Sequence, residues 1–211
     1  RLERCRVLGN SSLSSGGGFA NDTSGLLTLV SSLVSGNSAA NRGGGIYDES
    51  DSRSFVMSST LASNTAGGAG GAIFAGGGED VVTNSILWAN LAADLGGESG
   101  QLDIGDAQAS FTVHHSCVEG WTGQLGGEGN IGDDPLFIDI RGIDEVAGTT
   151  DDDLRLGPSS PCIDAGDTSA LPPDVADLDG DDDRGEPTPF DLARRPRVRG
   201  VEVDMGAHEA D

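Results

Sequence analysis

The chain has 211 residues, enough for one domain with a substantial core, and sets 35 Asp and Glu against 12 basic residues, all arginine. Its net charge of −23 argues against nucleic acid and anionic membrane surfaces as partners, because both need cationic side chains to neutralise phosphates. With 4% aromatics and 34 glycines it lacks the bulk of an ordinary core, it has no apolar run near the ~20 residues of a membrane span, and its three cysteines lack zinc spacing.

In chain order, the first feature is a repeat. Asn10, Asn37, Asn64 and Asn90 stand 27, 27 and 26 residues apart. Three positions earlier are Val7, Val34, Leu61 and Leu87; five earlier are Cys5, Ser32, Ser59 and Ser85. Eight earlier are Leu29, Val56 and Val82, and a glycine cluster follows Asn10, Asn37 and Asn64, as in Gly43-Gly44-Gly45-Ile46. Short runs of Val, Leu and Thr bounded by Asn and Gly read as strands, and a period of this length reads as a solenoid. A coil of about 27 residues holds roughly three short strands and three turns, as in a parallel β-helix. The glycines mark one corner of every coil, and the asparagines predict a ladder of stacked side-chain amides. Because Cys5, Val7 and Asn10 already occupy repeat columns, Arg1 reads as the start of a processed or excised piece. An open first coil would then invite strand addition or self-stacking.

Asp48, Glu49 and Asp51 follow the second glycine corner, between Arg42 and Arg53. Acidic calcium ligands beside an arginine base would suit a polysaccharide lyase, while an exposed charged turn is the plainer reading. Paired aspartates at the coil period, as a glycosidase requires, are not found. A fifth copy places Val113, Ser116 and Val118 in the repeat columns with Trp121 in place of Asn. His114 and His115, adjacent on a strand, face opposite sides and so do not make a metal pair. The segment GEGNIG, residues 127–132, fits a dinucleotide pattern but leads into Asp133-Asp134-Pro135, not a helix, and is rejected as such a site.

The repeat fails from Asp133 onward, and 22 of the 35 acidic residues lie beyond residue 132. Residues 1–140 are therefore expected to form the coils, and residues 141–211 an irregular acidic cap over the last of them. Within it, Asp177, Asp179, Asp181 and Asp183 alternate as in the first half of an EF-hand loop, a set of hard oxygen ligands suited to Ca²⁺. Asp182 takes the usual glycine place and Thr188 stands where the bidentate Glu belongs. A disulfide between Cys117 and Cys162 would staple the cap to the fifth coil, whereas Cys5 falls in the serine column and reads as a small buried side chain.

The segments SLVSGNSAANRGGGIYD and STLASNTAGGAGGAIF resemble the repeats of bacterial right-handed parallel β-helix surface proteins, including the polymorphic outer-membrane protein repeat family. The tail, with DDPLFID, SSPCIDAGD, DLDGDDDRG and VEVDMGAHE, is similar to the C-terminal region of secreted planctomycete-type β-helix proteins. The resemblance implies an all-β, right-handed parallel β-helix of about five coils, at a bacterial cell surface or outside the cell. The function expected from it is a non-catalytic structural or adhesive module that self-associates or holds surface carbohydrate. The alternative is a lyase-like carbohydrate-active enzyme on the same fold.

Overall fold

A computed structural model describes residues 1–93 and 97–210. The repeat builds four parallel sheets, one strand from each per coil. The first sheet stacks Leu2–Glu3, Leu26–Val30, Arg53–Met57, Glu79–Thr83 and Ser110–His114. The second stacks Arg6–Leu8, Leu33–Ser35, Thr60–Ala62, Ile86–Trp88 and Cys117–Val118. Ser11–Ser12, Ser38–Ala39, Thr65–Ala66 and Leu91–Ala92 form the third; Phe19–Asn21, Ile46–Asp48, Ile73–Ala75 and Leu102–Ile104 form the fourth. The solenoid completes about four turns, with a fifth rung in the first two sheets. Each coil holds four strands, not the three expected, because the two residues after each ladder asparagine pair as a short strand of their own.

The repeat columns are the register. Val34 pairs with Val7 and Leu61, Leu61 with Leu87 and Leu87 with Val118, while Val82 pairs with Val56 and Val113. Alternation turns these residues inward, where they form the central core with Ile46 and Ile73. The turn between the first and second sheets puts Arg4, Ser31, Ser58, Asn84 and His115 at positive φ, a left-handed column free of glycine. At the glycine corner the need is close approach: a Cβ on Gly44 would lie 2.5 Å from the Gly71 carbonyl oxygen.

Two side-chain ladders run through the turns. Asn10 donates to Asn37, Asn37 to Asn64 and Asn64 to Asn90, at 2.9, 2.9 and 2.8 Å. Asn90 then donates to Gln101 Oε1 and Gln101 to Glu119 Oε2, so Gln101, and not Trp121, ends the ladder. The backbone amides of Ser32, Ser59 and Ser85 donate to the hydroxyl of the next serine in the column.

The acidic C-terminal region is present, but it lies along one side of the coils instead of over the last one. Its antiparallel pair, Phe137–Asp139 with Asp153–Leu156, straddles residue 140. Leu154, Leu192 and Ala207 pack on the outward residues Leu33 and Ala62; Leu156, Cys162 and Met205 pack on Ile86 and Cys117. The second sheet is thus covered on both faces. The contact reaches the first coil, where Arg1 Nη2 donates to the Pro173 carbonyl at 2.7 Å. Residues 128–131 cover the fifth rung instead: His115 N donates to Glu128 O, Asn130 Nδ2 to Val113 O and Val118 N to Ile131 O. The GEGNIG segment is therefore an edge cover, which the end of a parallel sheet requires.

Candidate functional site

Asp48 does not lie on an exposed turn. It ends the strand Ile46–Asp48 and is fully buried, accepting from Asn21 Nδ2 at 2.6 Å and from Ser54 Oγ at 2.7 Å. Asp80, equally enclosed, accepts from Ser54 N at 2.6 Å, while its Oδ2 is buried without a donor. Burial holds the Asp48 carboxyl above its ordinary range, against the pull of Ser54 and Asn21. Burial first, and the neighbouring Asp48 charge second, push Asp80 up to about 8. The two acids thus form a buried pair joined through Ser54. Sequence spacing hid it, since they stand off the 27-residue register; the available signal was that Asp80 shares the inward parity of Val82.

Glu49 and Asp51 are exposed, and Glu49 faces Asp22, whose carboxylate raises it. The three acids of the lyase-type turn therefore point to different environments. Arg42 is engaged elsewhere: its guanidinium carbon lies 4.8 Å from the centre of the Phe74 ring. Tyr47 and Phe74, paired across adjacent coils, stack with centroids 5.6 Å apart and planes 19° apart. Asn41, Arg42, Tyr47, Gly67 and Gly68 line an open cleft of about 340 Å³ on this flank. Phe74 itself is buried, so the cleft presents the half-buried Tyr47 ring, the exposed Arg42 and backbone groups of the glycine corner. An aromatic face beside planar donors suits a ring with apolar faces and polar edges. Sequence reasoning named Arg42 but missed the shelf, because Tyr47 and Phe74 meet only when successive coils stack.

In the tail, Asp177, Asp179 and Asp181 each place an oxygen within 4.8 Å of the others. Asp183 is not in that group; its Oδ1 accepts from Gly185 N at 2.9 Å. Thr188 is buried and its amide donates to Pro172 O. Asp174 and Glu186, which the alternating pattern did not include, stand with Asp179 in a second group of the same compactness.

A separate buried cluster ties down the chain end. Arg197 Nη2 donates to the carbonyls of Asp204 and Gly206 at 2.9 and 2.8 Å and stands 3.4 Å from Glu209 Oε1. Burial pushes Glu209 up to about 7, with Arg197 opposing, and depresses His208 to about 4. These groups lock VEVDMGAHE against the second sheet and are enclosed. Cys117 and Cys162 are free thiols in contact within the apolar cluster, so the disulfide expected between them is not formed. The Cys162 thiol and burial push the Cys117 thiol up, which keeps it protonated and slow to react. Cys5 is only half-buried, and its amide donates to Ser32 Oγ.

Residues 31–49 match the family model described as the Chlamydia polymorphic membrane protein repeat. The matched stretch runs from the turn before Ser32, through Val34 and Asn37, to the glycine corner and Asp48. With the parallel solenoid, it makes this a β-helix repeat protein similar to the polymorphic membrane proteins. No curated protein and no solved structure gives a match.

Proposed function

We propose that the chain is a non-catalytic structural and adhesive module displayed at a bacterial cell surface, and that it holds surface carbohydrate on the Arg42–Tyr47 cleft. The surface location is supported by the repeat match, since the matching family is one of membrane proteins. The observation that carries the adhesive reading is the Tyr47–Phe74 stack with Arg42 laid over it, beside an open cleft. Arginine in that position favours glycans bearing carboxylates, which it can bind through two parallel hydrogen bonds. The buried, hydrogen-bonded state of Asp48 weighs against the lyase reading of the same coil.

The wild-type chain is expected to bind acidic polysaccharide in calorimetry or on a glycan surface. Tyr47→Ala and Arg42→Ala should each weaken binding about tenfold, the scale of one lost aromatic or arginine anchor. Glu49→Gln, on the exposed turn, should leave affinity unchanged. Equal binding by wild type and both cleft variants would remove this site from consideration.

Self-association belongs to the same reading. Sedimentation that does not change with concentration would contradict it.

A further inference from the structure

The tail contains a loop closed by its own backbone. Asp174 N donates to Glu186 O and Thr188 N to Pro172 O, both at 2.8 Å, and Pro173 pairs with Pro187 in an antiparallel bridge. The closure sets the side chains of Asp174 and Glu186 together, with Asp179 folded back between them. One oxygen from each lies within 4.8 Å of the other two.

The local chemistry is unbalanced. Asp174 is fully buried; it accepts from Leu178 N at 2.6 Å, yet its Oδ1 is buried with no donor. Glu186 Oε1 is also buried with no donor. Two enclosed carboxylate oxygens without hydrogen bonds, beside a third carboxylate, need a counter-charge at that point.

We propose that this loop is a divalent-cation site that takes calcium, held by Asp174, Asp179 and Glu186, with Asp177 and Asp181 completing its acidic mouth. Oxygens bound to calcium at about 2.3–2.6 Å can lie up to about 5 Å apart across the ion, which fits this grouping. An all-carboxylate set disfavours zinc, and the irregular loop disfavours magnesium with its strict octahedron. Asp177, Asp179 and Asp181 form an outer triad that shares Asp179 with the inner one. Asp183 stands outside both groups, and its Oδ1 caps its own turn. Glu186 takes the part that a longer loop would have given to position 188. The same loop accepts Arg1 Nη2 at Pro173 O, so an ion here also fastens the tail to the first coil.

The test is calorimetric titration of the chelator-stripped full chain with calcium chloride and, separately, magnesium chloride, together with thermal unfolding. Wild type should bind calcium saturably, with an upward shift in Tm, and magnesium about tenfold more weakly. Asp174→Asn and Glu186→Gln should each weaken calcium binding about 10–100-fold, while Asp183→Asn should stay within about twofold of wild type. If Asp174→Asn does not fold, the exposed Asp179→Asn serves in its place and should lose binding to the same extent. No saturable binding at millimolar calcium overturns the site. So does full retention in the Asp174, Asp179 and Glu186 variants, or a loss in Asp183→Asn as large as theirs. Magnesium binding as tight as calcium would overturn the assignment of the ion.

Discussion

Asn64→Leu is expected to destabilise the fold by roughly 3–5 kcal/mol, whereas Asn10→Leu should cost less than about 1 kcal/mol. Asn64 is fully buried and lies in the middle of the ladder. Its Oδ1 accepts from both the backbone and side-chain amides of Asn37, and its Nδ2 donates to Val34 O and Asn90 Oδ1. Leucine fills the volume but leaves the Asn37 amides and the Val34 carbonyl without their partners. Each buried group stranded in this way costs about 1–3 kcal/mol. Asn10, exposed at the first coil, has water available in place of Asn37. Urea unfolding of the two variants measures the contrast, and equal losses would mean that the ladder carries no special weight.

The second large effect is on pH dependence. The folded pKa of Asp80 is about 8 against an ordinary aspartate value of 3.8. Folding therefore favours the protonated acid. The contribution is fully present below about pH 4 and is lost as pH rises through 8, at a limit of about 1.4 kcal/mol per pH unit. Asp48, raised by the same burial, adds in the same direction. Asp80→Asn keeps an oxygen for Ser54 N and removes the charge, so its stability should be flatter between pH 5 and 8 and higher than wild type at pH 8. Chemical denaturation at several pH values gives both slopes. A wild-type slope unchanged by the substitution would place the titrating proton elsewhere.

The coils were legible because a solenoid writes its three-dimensional register directly into sequence spacing. Val34, Leu61 and Leu87 neighbour one another in space because they share a column. The left-handed turn at Ser31, Ser58 and Asn84 was not legible, since these residues carry no glycine to mark it. The course of the tail was hidden for a different reason. Leu33, Ala62, Ile86 and Cys117 face outward and are apolar, which calls for a cover, but no local pattern says which distant segment supplies it. At the acidic loop, alternation pointed to Asp177, Asp179 and Asp181. Asp174 and Glu186 join them only through the backbone closure around Pro173 and Pro187.

The most direct measurement incubates the chain with an acidic polysaccharide and calcium, and follows bound polymer and the ultraviolet absorbance of unsaturated product in the same sample. A surface module that grips carbohydrate through Arg42 and Tyr47 retains polymer, releases it when both residues are changed to alanine, and generates no unsaturated ends. Steady product formation by wild type, abolished by Asp48→Ala, would contradict that reading and make the coil face an active site.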